Sequence, residues 1–182
     1  MADRERRRKQ IDRVIDLFGV TDEERARIVV RCRGSKYFSI RKIIEEVTRP
    51  ENKAFHLTAF LAISGIGIIP SATVSIRDER EWPHGERSEA SPAEEEQGPV
   101  SALCRAIRCA VKIDFELVDF GVQMEHECKG ESAPGVVTVE IMRSGRRFIG
   151  TGRGSDVVKA SALAILDALN RSVCFEDAKI GE

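Results

Sequence analysis

Over the first fifty residues, apolar side chains recur every three or four positions, a spacing that predicts amphipathic helices. One apolar face marks a first helix and consists of Ile11, Val14, Ile15 and Phe18. Thr21 and Glu24 stand three apart, as in the capping box that opens a helix. That second helix should run to about Arg33, and a third is predicted from near Ser39. Residues 1–52 are therefore expected to form a helical subdomain.

From residue 55 onward the pattern changes to alternation, which predicts β-strands. The first two strands would span residues 56–64 and 72–77. One face of the first strand would carry Leu57, Ala59, Leu61 and Ile63, and the other Thr58, Phe60, Ala62 and Ser64. Residues 78–97 are rich in Glu, Arg, Ser and Pro. We expect them to form a polar, mobile loop.

The stretch from Gly98 to Asn170 is predicted to fold as helix, strand, strand, strand, helix. Pro99 suits the first position of a helix, because the N–H that it lacks has no partner there. Strands are predicted at residues 115–124, 136–142 and 146–151, the last two joined by a tight turn. The first of them would carry Val118, Phe120, Val122 and Met124 on one side. Ser155 is the expected N-cap of the last helix.

Strands followed by a helix occur twice, over residues 55–112 and 114–174, which indicates a weak internal repeat. The predicted class is α+β, with the small helical subdomain followed by two pseudo-symmetric strand-strand-strand-helix units within residues 53–182. A helix that covers one face of a three-stranded sheet leaves the other face to be covered. We therefore expect the chain to pair with a second copy of itself as a homodimer.

Composition narrows the setting. The chain has 182 residues, a formal net charge of -1 and 42% hydrophobic residues, so nothing draws it as a whole to nucleic acid or to an anionic membrane. No apolar run approaches the roughly 20 residues that span a bilayer, and the expected location is the cytoplasm. The five cysteines are scattered, which fits reduced thiols. His126 and Cys128 lack a second pair of ligands in the sequence, so neither a metal nor a cofactor is expected.

No catalytic motif is present in the sequence, and we do not expect the chain to be an enzyme by itself. Two helix starts beside glycine, Gly98-Pro99 and Gly154-Ser155, are the features with binding potential. Such a start presents backbone amides and the positive end of a helix dipole to a carboxylate or phosphate. From local sequence alone, simple capping of the helix is the stronger interpretation.

Several motifs match a known family. They are Gly98-Pro-Val-Ser-Ala-Leu, Leu-Val-Asp-Phe at 117–120, the run from Gly152 to Ala168-Leu-Asn-Arg171, and Ile63-Ser-Gly-Ile-Gly-Ile-Ile-Pro-Ser-Ala-Thr-Val74. Together they resemble the C-terminal allosteric and dimerisation domain of 2-isopropylmalate synthase, which also occurs in citramalate and some homocitrate synthases. The stretch 11–49 is similar to the linker subdomain of that family, so the resemblance covers nearly the whole chain.

The resemblance implies feedback inhibition by leucine or a related branched-chain amino acid, bound between regulatory units at a dimer centre. By the same resemblance, the effector-binding residues are Gly98, Val100, Ser101, Leu117 and Phe120. A regular strand would turn Leu117 and Phe120 to opposite faces. The family's catalytic barrel needs about 200 residues or more, and its His-x-His motif is missing. We therefore expect either a free-standing regulatory protein with a separate catalytic synthase subunit as a possible partner, or part of a longer protein.

Two other interpretations stay open. The element order and the glycines before the last helix are also similar to a double-stranded-RNA-binding domain, which clamps phosphates with lysines at that helix start. Here a single lysine, Lys159, stands there beside Asp156, and acids nearly offset the basic residues from Gly98 onward. Nucleic acid is therefore not the expected partner. The last interpretation is a dimerisation scaffold without any ligand.

Overall fold

The computed structural model describes residues 2–32, 37–81, 85–92, 98–124 and 133–180. Three N-terminal helices come first, and two strand-strand-strand-helix units follow, which confirms the predicted α+β class and its order of elements. The elements are α1 (Ala2–Ile15), α2 (Asp22–Arg31), α3 (Tyr37–Val47), β1 (Phe55–Gly65), β2 (Ile68–Asp78), β3 (Glu86–Pro92), α4 (Pro99–Val111), β4 (Glu116–Met124), β5 (Gly135–Arg143), β6 (Arg146–Gly154) and α5 (Val157–Ile180).

The described strands form two antiparallel sheets, with the orders β1-β2-β3 and β4-β5-β6. The first strand of each sheet repeats the pattern Phe-x-Leu-x-x-Phe, at residues 55–60 and 115–120. In both copies the register shifts after the leucine, so that one residue, Thr58 or Val118, forms a β-bulge. The sequence pattern and the bulge therefore recur at the same place in both units. The internal repeat is thus a repeat of backbone structure as well as of sequence.

The two bulges correct the predicted faces of both strands. In β1, Leu57 lies opposite Ile76 and Phe60 lies opposite Val74. Leu57 therefore shares its face with Phe60, whereas alternation predicted that it would share it with Ala59. In β4, Leu117 takes the place that alternation assigned to Val118. Because an extra residue reverses the alternation of side chains after it, simple period-two counting was wrong across each bulge.

Residues 86–92 form strand β3, where the sequence predicted a mobile loop. The strand pairs with β2 from Ser71 to Arg77, and the hydroxyl groups of Ser75 and Ser88 lie 2.6 Å apart across the pair. None of its side chains is fully buried. An exposed edge strand of this kind has no apolar alternation, so periodicity could not reveal it.

Helix α5 connects the two units. It packs on β5 and β6 and also reaches β1 and α4, and one apolar core contains residues of both sheets and both helices. A Cβ on Gly150 or Gly152 would lie 2.1 Å or 2.0 Å from a backbone oxygen of α5. The facing residues of the helix are Ala160, Ala164 and Ala168. Small residues on both elements thus let strand and helix approach closely.

The N-terminal helices cover the other face of the second sheet. Ile149 of β6 joins the apolar cluster of the three helices. Between α1 and α2, the backbone N–H of Gly19 donates to the carbonyl of Arg147, and the N–H of Arg147 donates to the carbonyl of Leu17. These bonds occupy part of the outer edge of β6. The capping box of Thr21 and Glu24 is confirmed at the start of α2.

Candidate functional site

The start of α4 carries the first group of predicted effector residues. Gly98 is its N-cap, with Pro99 at the first helical position, and Gly98 has no side chain with which to cap the helix. The carbonyl of Gly98 accepts the N–H groups of Ser101 and Ala102. Gly98 is exposed, and a Cβ built on it would meet nothing within 4 Å. Gly98 itself thus offers no side chain at this helix start, and it leaves space beside the positive end of the helix dipole.

The start of α5 differs. The Oδ1 atom of Asp156 accepts hydrogen bonds from the N–H groups of Val158 and Lys159, at 2.9 Å and 3.0 Å. Asp156 is therefore the capping residue, and the expectation that Ser155 caps this helix was wrong. A carboxylate from the chain itself already occupies the position that a phosphate or carboxylate ligand would need.

Strand β4 carries the second group, Leu117 and Phe120. The bulge at Val118 pairs Leu117 with Ile141 and Phe120 with Val139, so both side chains point to the same face of the sheet. Leu117 packs against the core, whereas Phe120 is 38% exposed. Two further apolar residues of that face, Val122 and Met124, are also exposed. Because α5 packs on β5 and β6, it leaves an apolar strip along β4.

The two groups belong to different units of the fold. Helix α4 packs on the first sheet through β2 and β3, while β4 is the edge strand of the second sheet. Val100 and Leu117 are both half-buried against the same core. A single site formed by all five residues, Gly98, Val100, Ser101, Leu117 and Phe120, stays a prediction.

A cleft of about 690 Å³ lies elsewhere, between α3 and the outer face of the second sheet. None of the five predicted residues lines it. On its floor, Glu140 is 2% exposed and accepts hydrogen bonds from both Arg41 and Arg147. The same guanidinium group of Arg41 also donates to Asp119 at 3.1 Å. The buried carboxylate of Glu140, paired with the partly exposed guanidinium of Arg41, thus attaches α3 to the sheet.

Sequence reasoning missed these charged contacts. The only signal was Glu140 within residues 135–142, which are otherwise uncharged, at a position facing away from α5. A similar contact is made by Arg171 of α5, which is 4% exposed. Its guanidinium group bonds the carboxylate of Asp167 at 2.9 Å, the hydroxyl of Thr48 at 2.9 Å and the carbonyl of Glu45 at 2.5 Å.

Asn170, the residue before Arg171, makes an equally specific contact with the backbone of β1. The side chain of Asn170, 1% exposed, accepts the backbone N–H of Phe55 at 2.7 Å and donates to its carbonyl at 3.1 Å. The amide therefore pairs with β1 as a neighbouring strand would. Asn170 and Arg171, both in the family-like motif Ala168-Leu-Asn-Arg171, hold β1 and α3 on the last helix.

Within the part of the chain that the structure describes, no three His, Cys, Asp or Glu side chains are grouped so that they could hold a metal ion. His126 and Cys128 lie outside the described residues. No described helix is both long enough and apolar enough to cross a membrane.

Comparisons with a protein-family profile and with known proteins agree on one family. The sequence profile described as "LeuA allosteric (dimerisation) domain" matches residues 37–173. The 2-isopropylmalate synthase of Synechococcus sp. (strain CC9605) is 35% identical over 135 residues, which are 74% of this chain and 23% of that protein. That of Synechococcus sp. (strain WH7803) is 37% identical over 131 residues, 72% of this chain and 23% of the relative.

The 2-isopropylmalate synthase of Dictyoglomus turgidum (strain DSM 6724 / Z-1310) is 35% identical over 123 residues. These residues are 67% of this chain and 23% of that protein. The chain thus spans about a quarter of the length of these relatives. The profile match begins at Tyr37, the first residue of α3.

Proposed function

Because this chain belongs to the LeuA allosteric (dimerisation) domain family, we propose that it is a regulatory module that senses a branched-chain amino acid. Leucine is the first candidate, and the output is feedback control of a 2-isopropylmalate synthase. The chain would act on a catalytic part that is either joined to it or a separate subunit. The module would work as a homodimer.

The observation that carries this proposal is the bulge at Val118. A regular strand would place Leu117 and Phe120 on opposite faces, and one ligand could not then contact both. With the bulge, both side chains face the same way. An apolar strip of this kind suits a branched aliphatic side chain, whose burial contributes about 1.5–3 kcal/mol.

The glycine N-cap of α4 supports the polar half of the proposal. An amino-acid effector carries a carboxylate, and a helix start whose N-cap residue is a glycine can accept it through backbone amides. Gly98 leaves room for that group. The ligand would therefore place its carboxylate at α4 and its side chain against β4.

Self-association is supported by apolar surface on edge strands. Leu61 and Ile63 of β1 are exposed, as are Phe120 and Met124 of β4. Exposed apolar patches of soluble proteins commonly mark interaction surfaces. We propose that a second copy of the chain covers them and completes the effector site.

Isothermal titration calorimetry with leucine, isoleucine and valine tests the proposal, together with sedimentation velocity for the dimer. We expect saturable binding with a dissociation constant in the micromolar to millimolar range. Absence of heat with all three amino acids would reject the sensor role and leave a ligand-free dimerisation scaffold.

Two substitutions at one position refine this test. Gly98→Asp should weaken binding, because the new carboxylate would cap α4 as Asp156 caps α5 and would repel the carboxylate of the ligand. Gly98→Ala is the matched control and should bind normally, since a Cβ fits there without a clash. The dimer should persist in both variants. Equal affinity of the two would mean that this helix start is not the site.

The double-stranded-RNA alternative has no comparable support. The carboxylate of Asp156 lies on the amides at the start of α5, where such a domain presents lysines to phosphates. The chain also has a net charge of -1.

A further inference from the structure

We propose that the carboxylate of Asp119 transmits the state of the predicted effector face of β4 to helix α3. This inference rests on the proposed function, since it names how occupancy of that site would be communicated. It concerns the face of β4 opposite to the apolar strip, so Asp119 itself would not touch the ligand.

The two oxygens of this carboxylate have different partners. Oδ1 accepts the backbone N–H of Phe120 at 3.0 Å, and Oδ2 accepts the guanidinium of Arg41 at 3.1 Å. Arg41 in turn bonds the buried carboxylate of Glu140. A continuous chain of polar contacts therefore runs from the backbone of Phe120 to α3. Its first member is a residue predicted to contact the effector.

The fold allows this contact to change while the rest stays fixed. Strand β4 pairs with β5 on one side only, and its register is interrupted one residue before Asp119. Strand β5, by contrast, is paired on both sides. A ligand that packs on Phe120 would therefore shift or stiffen β4 more readily than β5.

Helix α3 has a second attachment at its other end. Arg171 holds the carbonyl of Glu45 and the hydroxyl of Thr48, and its partner Asp167 also accepts the N–H of Thr151 at 3.1 Å. This attachment comes from α5, which does not depend on β4. The helix is thus held on the rigid core through Arg171 and through Glu140 of β5, and on the edge strand through Asp119. Only the contact with Asp119 would report the ligand.

The expected strength of the contact between Asp119 and Arg41 follows from how exposed their side chains are. The side chains of Asp119 and Arg41 are 55% and 32% exposed, and a contact of this kind changes an equilibrium by roughly 1.4- to 5-fold. That range is large enough to adjust the docking of α3 and small enough to leave folding intact.

Hydrogen exchange of the α3 amides, followed by mass spectrometry on residues 41–47, tests the inference. In the unmodified chain, saturating leucine should slow their exchange by a factor within that range. Asp119→Ala should abolish the slowing. The matched control is Glu116→Ala, which removes another exposed carboxylate of β4 and should leave it unchanged. An equal response in Asp119→Ala and the unmodified chain would overturn the inference but not the sensor role.

A ligand-free comparison keeps the two proposals separable. Phe120→Ala should loosen β4 and speed exchange in α3, and it should do so much less in the Asp119→Ala background. If calorimetry detects no amino-acid binding, the sensor role fails and this comparison still decides the inference. The same change of α3 exchange in both backgrounds, or none in either, would overturn it. Unaltered exchange of β5 in each variant verifies that the sheet is intact.

Discussion

Asn170 gives the sharpest test of how the two units are held together. Its side-chain amide is buried in α5 and makes two hydrogen bonds to the backbone of Phe55, the first residue of β1. In Asn170→Ala the amide is removed, and no other described contact replaces it. The N–H and C=O groups of Phe55 would then be left without partners at a position that is 1% exposed.

The magnitude follows from these two groups. A buried donor or acceptor that loses its partner costs about 1–3 kcal/mol, so the two groups together predict a loss of about 2–6 kcal/mol. Water entering the space left by the amide would move the value toward the lower end. Because the free energy of unfolding of a typical domain is only about 5–15 kcal/mol, a loss of this size should be easy to measure.

Urea unfolding followed by circular dichroism measures the loss, at one fixed protein concentration because self-association shifts the midpoint. Asn52→Ala is the matched control. Asn52 is exposed and near the start of β1, so its loss should stay within about 0.5 kcal/mol. A difference below about 1 kcal/mol between the two variants would refute the role assigned to Asn170.

Three further outcomes are expected. Gly152→Ala should destabilise the fold by about 1–3 kcal/mol or more in the same unfolding assay, since its Cβ would lie 2.0 Å from a backbone oxygen of α5. Burial acts to raise the pKa of Asp78, but the hydrogen bonds from Arg80 outweigh it and lower that pKa below its usual range. The free energy of unfolding should therefore fall as the pH drops below about 4, and less steeply in Asp78→Asn. Burial raises the pKa of Cys104 to about 11. At pH 8, iodoacetamide should therefore modify the exposed Cys109 well before Cys104, as peptide mass spectrometry will report.

Much of the fold could be predicted because the buried elements carry clear periodicity. Helices α2 to α4 and the central strands follow from apolar spacing and capping residues. Strand β3 could not be predicted in this way, because an exposed edge strand is specified by its pairing partner and not by its own apolar pattern. The register of β1 and β4 was missed for a related reason. A bulge is a backbone irregularity that leaves the composition of the strand unchanged.

The candidate site was predictable only as a set of residues, because its geometry depends on the bulge. Resemblance supplied Leu117 and Phe120 together, although alternation would separate them. The structure shows how one sequence satisfies both observations, since the extra residue at Val118 reverses the alternation after Leu117. The recurrence of the bulge at Thr58 indicates that this irregularity belongs to the repeated unit.

Because of the same bulge, the two faces of β4 carry different kinds of side chain. Toward the apolar side it presents Leu117 and Phe120, and toward the helical subdomain it presents Asp119, which contacts Arg41. A regular strand with Leu117 and Phe120 three apart could not offer both residues to one ligand. With the bulge, the carboxylate between them remains free to contact α3. Under the proposed function, this irregularity is what would allow a single strand to receive a ligand on one face and report it on the other.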